Sequence, residues 1–251
     1  MIEKLGVELF TVRDFMKTPE ELRETFRKLK AIGYDQGQTA GCAVPYAEFG
    51  QIAKEEGIEI VGTHDNFDRM YEDFEASYAD HQLLGTKIMG IGGYFKDDPK
   101  DFEEFIRKAN IVGAKIGALG GKFTYHNHSG EFMKLSNGKN AMEMLEEGLD
   151  PATTSFCLDT CWVQRGGADV RYWIERLTNR IDILHLKDVA RGKEGEFITE
   201  IGNGNLYWEG IFESAAKANV KYYVVEQDTC PGDPFESLKM SSDYIHKNFM
   251  K

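Results

Sequence analysis

The amino-acid sequence predicts an α/β fold, a single (β/α)8 barrel over residues 1–251. Three observations predict it. Short β-rich runs alternate with charged, helix-periodic segments, and there are eight such units in the 251 residues. No linker-like tract interrupts them, and barrels of this kind commonly reach this length as one domain. The Gly-rich first turn that a doubly wound nucleotide-binding sheet needs is absent.

The run KLGVELFTV (4–12) reads as the first strand. The helix TPEELRETFRKLKAIG (18–33) marks both of its ends: Thr18 caps it with Glu21 three residues later, Pro19 takes the first helical position, and Gly33 stops it. Leu22, Phe26, Leu29 and Ile32 recur at helical spacing. A weaker strand at 34–39 and a helix from Tyr46 to Glu56 follow. IEIVGTH (58–64) is the third strand, with a helix from Phe67 to Leu84. KIMGIGG (87–93) is the fourth, with a helix from Pro99 to Gly117, and KFTYHNH (122–128) the fifth, with a helix from Asn140 to Gly148. TSFCLDTCWV (154–163) is the sixth, with a helix from Val170 to Leu177. IDILHLKDV (181–189) is the seventh, with a helix from Trp208 to Ala218. VKYYVVEQD (220–228) is the eighth, closed by a helix from Ser237 to Phe249.

Composition narrows the function. Lys plus Arg is 30 against 42 Asp plus Glu, a net charge of −12, which repels phosphate backbones and sets nucleic acid aside as the main partner. The cysteines at 42, 157, 161 and 230 form no CxxC pair, so reduced thiols are expected. The opening MIEKLGVELF is too short an apolar run for a secretion signal. No stretch approaches the roughly 20 apolar residues of a membrane span, so a cytoplasmic protein without a membrane partner is expected.

Active sites of such barrels lie at the C-terminal ends of the strands. There the sequence places His126 and His128 (strand five), Asp159 and Cys161 (six), His185, Lys187 and Asp188 (seven), and Glu226 and Asp228 (eight), with His64 on strand three and Glu8 on strand one. Residues two apart share a face of a strand, which turns Thr124, His126 and His128 inward and leaves Phe123 and Tyr125 outside. The same alternation groups Cys157, Asp159 and Cys161, pairs His185 with Lys187, and groups Val224, Glu226 and Asp228. An Asp, a His and a Glu ending three adjacent strands suit a divalent metal. Taken alone, His64 reads as a hydrogen-bonded core residue, Asp188 and Asp228 as loop caps or lip residues, and Cys157 and Cys161 as small packing groups.

At these residues the sequence resembles the sugar phosphate isomerase/epimerase group of the xylose-isomerase-like TIM barrels. The resemblance runs nearly end to end, through GVELFTVRD, YHNH, LDTCWV, HLKD, IGNGNLYWEGIF, VVEQD and DPFESLKMS, and its specificity lies in their order and spacing. It implies one divalent ion, Mn²⁺ first, with Zn²⁺, Co²⁺ or Mg²⁺ as alternatives. It implies ligands on strands five to eight, of which Asp159, His185 and Glu226 match the last three. Relatives carry a glutamate where His126 stands, with Glu131 the alternative fourth group, a histidine where Trp162 stands, and often a glutamate where Gln38 stands. Arg191 agrees with an arginine that reaches substrate in the epimerases.

The expected chemistry is proton transfer beside the carbonyl of a keto sugar, through an enediolate. Glu226 is the expected base, His128 the partner acid, and Lys187 a positive charge near the oxygen. Glu8, Gln38, His64, Trp162 and Arg191 are expected to bind substrate, and Phe10, Trp162 and Trp208 either face sugar or pack in the core. GNG at 202–204 is a weak candidate phosphate cradle. A lyase or hydrolase of 3-keto-glycosides, a non-catalytic sugar-binding barrel and an apurinic-site endonuclease are the rivals. A homo-oligomer, paired through the helical shell, is a further expectation.

Overall fold

The computed structural model describes residues 2–41 and 43–250, so Cys42 lies outside the described residues. Its first half runs β1 (Gly6–Glu8), a 3₁₀ stretch (Leu9–Phe15), α1 (Pro19–Ala31), β2 (Gln36–Thr39), α2 (Tyr46–Glu56), β3 (Glu59–Thr63), α3 (Phe67–Glu72), α4 (Phe74–Leu84), β4 (Ile88–Ile91) and α5 (Pro99–Ala118). The second half runs β5 (Lys122–His126), α6 (Ala141–Gly148), β6 (Thr154–Asp159), α7 (Thr160–Arg165), α8 (Val170–Arg176), β7 (Ile181–Leu186), β8 (Asp188–Gly192), β9 (Gly195–Thr199), α9 (Trp208–Lys217), β10 (Tyr222–Val225) and α10 (Pro234–Phe249).

Eight of the strands form one parallel sheet in the order β3-β2-β1-β10-β7-β6-β5-β4. The two ends meet: the Asp65 N–H, just past β3, donates to the Gly90 carbonyl of β4 at 2.8 Å. The result is a nearly closed (β/α)8 barrel, the fold that the alternation of elements predicts. Among the described residues, no helix is long and apolar enough to cross a membrane.

Alternation along each strand sorts the side chains as the sequence implies. Cys157, Ile183 and Val224 pack with Val61 in a small inner cluster, while Phe123, Tyr125, Phe156, Leu158, Leu184 and Leu186 join the large core beneath the helices. Helix entries are set by short polar caps. The Thr18 hydroxyl accepts from the Glu21 N–H and the Glu21 carboxylate accepts from the Thr18 N–H, the reciprocal box read from the sequence. Asn140 and Glu143 repeat it at α6.

Local details differ from the sequence reading. Residues 67–84 form two helices, because Asp73 leaves the helical region at φ −132°, ψ 64°. The strand read as 122–128 ends at His126, and the one read as 154–163 ends at Asp159. There the Asp159 carboxylate caps α7, accepting from the Trp162 N–H at 2.9 Å, so Cys161 and Trp162 ride on a helix and Cys161 does not share a strand face with Asp159. The strand read as 181–189 ends at Leu186 and passes into an antiparallel hairpin, β8–β9, that the sequence reading lacks. α10 starts three residues earlier than read, at Pro234 behind the Asp233 cap.

Asp188 explains how the chain after that hairpin is held. Its buried carboxylate accepts from the backbone N–H groups of Val189 (2.8 Å), Gly202 (3.0 Å), Gly204 (3.2 Å) and Leu206 (3.3 Å) and from the Trp208 indole (2.6 Å). The GNG segment therefore wraps the protein's own carboxylate, which corrects its reading as a phosphate cradle, and Trp208 is committed to this loop rather than to a sugar. Gly204 is required by that approach: a methyl group there would lie 2.1 Å from Asp188 Oδ1. Gly202 sits at φ +89°, which a side chain rarely adopts. Asp188→Ala orphans five donors, and a loss of at least about 3 kcal/mol is expected in urea unfolding; a loss below about 1 kcal/mol would show the loop to be held otherwise.

Candidate metal centre

Four strand ends bring His126, Asp159, His185 and Glu226 together. One ligand-type atom from each lies within 4.8 Å of all the others, and all four residues are buried. Strand register accounts for much of this. Asp159 and His185 are paired directly across β6 and β7, and Val224 of β10 is paired with His185, which sets Glu226 just above it. The centre opens into a cleft of about 350 Å³ that also receives Phe10, His64, Asp65, Phe95, His128 and Asp228. A larger groove of about 660 Å³ lies at the opposite, N-terminal ends of β3 and β4, away from these groups. In barrels of this kind that face serves stability rather than chemistry.

The neighbours of each ligand-type group fix where its lone pairs point. His126 Nδ1 lies 3.1 Å from the Gly92 carbonyl, so that nitrogen carries the proton and donates it. Its Nε2 faces Asp159 Oδ2, 3.4 Å away. His185 repeats the arrangement in mirror order. Its Nε2–H donates to Gln38 Oε1 at 2.8 Å, and its Nδ1 faces Glu226 Oε2 at 3.0 Å and Asp159 Oδ2 at 3.7 Å. Asp159 is locked on its other side, where Oδ1 accepts from α7. Its own N–H donates to the Asn127 side chain at 2.9 Å. Burial acts against the His185 imidazolium, but Cys157, Glu226 and Asp159 hold its pKa well above the ordinary value, so without an ion Nδ1 carries a proton toward the carboxylates. An ion would take the place of that proton, facing two imidazole nitrogens and two carboxylate oxygens in a buried space. Such a donor set fits a divalent cation, with each imidazole oriented by a hydrogen bond to its far nitrogen.

Lys187 supplies the positive charge among these groups. Its buried Nζ lies 2.9 Å from Asp159 Oδ2, 2.6 Å from Glu226 Oε2 and 2.8 Å from Asp228 Oδ2. Burial acts against the ammonium, but the three carboxylates hold its pKa well above the usual lysine value. Burial likewise acts to raise Asp159, yet Lys187 and the two histidines hold it well below the ordinary carboxylate range.

Gln38 occupies the space behind His185. Its NH₂ donates to His64 Nε2 at 2.8 Å while its oxygen takes the His185 proton. His64, Cys157 and His185 also converge, but this amide stands among them and uses both histidine nitrogens. Glu8 is fully buried; Oε1 accepts from the Phe10 N–H at 3.3 Å, and Oε2 faces His185 and His64 at 3.8 and 3.9 Å. Burial, then the Glu226 charge, push its carboxyl up to about 8, so it holds a proton at neutral pH. His128 lies beyond the end of β5, its ring 5.1 Å from that of Trp162. Burial and the neighbouring His126 push it down to about 4, so at neutral pH its ring is uncharged rather than the near-neutral acid that the sequence reading expects.

The remaining sequence candidates fall in different places. Glu131 is turned away from the centre: one oxygen accepts from the Tyr125 hydroxyl at 2.8 Å and the other from the His128 N–H at 3.0 Å. Of the two alternatives for the fourth group, His126 is the one in the cluster. Trp162 is half-buried above Lys187, whose Nζ is 5.1 Å from its ring. Arg191 is exposed on β8, and its side chain does not line the cleft. The sequence reading placed Asp228 on the lip and missed its contact with Lys187, although two-residue alternation from Glu226 pointed to it. Asp65, which the sequence sets at the end of strand three beside His64, reaches the cleft, and Phe95 stands in a loop, where no periodicity marks it.

A family model for the xylose isomerase-like TIM barrel matches residues 6–244. An inosose dehydratase of Mesomycoplasma hyopneumoniae (strain 7448) is 27% identical over 143 residues, which cover 49% of this chain and 47% of that protein. The chain spans about half the length of the curated relatives it matches. A sugar phosphate isomerase/epimerase of Parabacteroides distasonis has a TM-score of 0.85 at 20% identity, covering 98% of this chain and 94% of that one. An L-ribulose 3-epimerase has a TM-score of 0.75 at 14% identity, over 98% and 94%. At these identities the likeness to the solved structures is a likeness of fold.

Two outcomes follow from this geometry. Gln38→Leu removes the hydrogen bond that orients His185, and Mn²⁺ affinity measured by calorimetry is expected to fall roughly 10–100-fold; unchanged affinity would mean that the amide does not orient the ligand. In the metal-free protein His128 is expected to titrate near 4 by NMR. The unfolded chain takes up this proton below its ordinary value of 6.5 and the folded one only near 4, so stability falls as the pH drops through that window. His128→Asn should flatten the fall in urea unfolding across a pH series.

Proposed function

This chain belongs to the xylose isomerase-like TIM barrel family, and we propose that it is a divalent-metal-dependent sugar isomerase or epimerase acting on a keto sugar by proton transfer. The observation that carries the reading is the convergence of one imidazole nitrogen each from His126 and His185 with the carboxylates of Asp159 and Glu226, all buried at the mouth of the barrel. A divalent ion held by these four groups, Mn²⁺ being our first choice, supplies Lewis acidity for the negative charge that develops when a proton leaves the carbon beside a carbonyl.

Glu226 is the proposed base. Its carboxylate is buried, yet Lys187 and His185 keep it below the ordinary range, so it arrives ionised. The Lys187 ammonium adds positive charge beside the reacting oxygens. His128, uncharged and partly open to the cleft, is proposed to take the hydroxyl proton of the enediolate and pass it to the former carbonyl oxygen, while Glu226 returns its proton to the neighbouring carbon. His64 offers a polar contact for hydroxyl groups and Phe10 and Phe95 offer ring faces for the sugar's CH groups, while Glu8 is fully buried behind them.

The charges around the cleft favour an uncharged polyol over a phosphorylated sugar. The Gly202 and Gly204 amides already serve Asp188, Lys187 already serves three carboxylates, and Asp65 and Asp228 add acidity at the walls. The likeness to inosose dehydratases supports a second reading. The same proton removal, followed by loss of a hydroxyl group two carbons from the carbonyl, would be a dehydration.

Asp159→Ala and His185→Ala are each expected to abolish bound Mn²⁺ in the purified protein. With metal present, the wild type is expected to exchange a carbon-bound hydrogen of an unphosphorylated keto sugar with solvent deuterium, read by NMR, with loss of water in mass spectra marking the dehydratase. Full metal occupancy in both variants would remove the ligand assignment. Metal binding without exchange or product over a panel of keto sugars and inososes would leave a sugar-binding barrel.

A further inference from the structure

The ammonium of Lys187 stands on the oxygens that an ion would need. Asp159 Oδ2 and Glu226 Oε2, which face the near nitrogens of His126 and His185, are also the atoms 2.9 and 2.6 Å from Nζ. The third partner is of a different kind. Asp228 Oδ2 lies 2.8 Å from Nζ, but Asp228 is outside the four-residue cluster, and its side chain is 25% exposed at the cleft. Lys187 itself is fully buried.

Two constraints act on this arrangement. Two close carboxylates repel one another unless a cation lies between them. A buried ammonium without a carboxylate costs several kcal/mol in lost hydration, so it cannot simply be set free when another cation arrives. Metal loading is then an exchange of cations, and the displaced one needs a carboxylate within reach. Asp228 is already in contact with it.

We propose that Lys187 is the built-in counter-ion of the metal centre, holding Asp159 and Glu226 in the metal-free protein and passing to Asp228 when an ion takes their oxygens. The inference rests on the reading of the four-residue cluster as a metal centre. It makes Asp228 a positioning residue: it touches no ligand-type group directly, yet it sets the affinity of the centre by receiving the ammonium. It also leaves the ammonium at the cleft side, next to the space for substrate.

The two partners then act on metal affinity with opposite signs. Without Lys187 the ion displaces nothing, and without Asp228 the displaced ammonium has no carboxylate of its own. Calorimetric titration of the chelator-stripped full chain with Mn²⁺ at one pH tests this. Lys187→Met is expected to bind Mn²⁺ about tenfold tighter or better, and Asp228→Asn about tenfold more weakly. In the double variant the Asp228 effect should vanish. Equal or weaker binding by Lys187→Met overturns the exchange, as does an Asp228 effect of the same size with and without Lys187. Should Lys187→Met fail to fold, Asp228→Asn alone decides, since it sits at a partly exposed position: unchanged affinity there overturns the proposal. Absence of any Mn²⁺ or Zn²⁺ binding by the wild type removes the metal-centre reading and this inference together. Wild-type binding with both variants unmoved removes only the exchange.

Discussion

Two imidazole nitrogens and two carboxylate oxygens meet in a buried pocket, and only positive charge can hold them there. Carboxylates held this close repel one another, and a buried site screens that repulsion less than bulk water does. The surrounding structure follows from this constraint. Gly92 and Gln38 accept from the far nitrogens of His126 and His185, which turns the near nitrogens toward the carboxylates. α7 takes one oxygen of Asp159 and leaves the other for the centre. Lys187, buried against its ordinary tendency, brings the charge that keeps the carboxylates together. A divalent cation suits the same place for the same reason.

Carboxylates do most of the organising in this half of the barrel, each in a different way. Asp188 gathers five N–H donors and shapes the segment after the hairpin. Glu131 ties the Tyr125 hydroxyl to the His128 backbone and so positions the loop after β5. Asp159 divides its two oxygens between a helix end and the centre. One consequence bears on specificity. Features that could attract an anion, the GNG amides and the strand-seven lysine, are already engaged by the protein's own acids.

Much of the fold was legible because its signals are local. The Thr18–Glu21 box, the Gly57 stop at α2 and the alternation of Leu184, His185 and Leu186 each act over a few residues, and each recurs in the structure. Readings failed where two local signals competed. The residues LDTCWV have strand-like composition, yet Asp159 is also a helix cap, and the cap won. The segment from Asp188 to Thr199 carries no alternating apolar pattern, and its hairpin is held by backbone pairing, with the chain after it fixed by bonds to Asp188.

The candidate site divides along the same line. The sequence by itself determined which strand ends carry His126, Asp159, His185 and Glu226 and which way they face, because a period of two residues and a barrel topology leave little freedom. Only the tertiary structure decided what each group does there. The tautomers of the histidines depend on Gly92 and Gln38, which are far from them in the chain. The state of His128 depends on its burial beside His126, and the partnership of Lys187 with Asp228 depends on β7 lying beside β10. Protonation and charge pairing are set by neighbours within a few ångströms in space, and the chain order does not specify those neighbours until the barrel has closed.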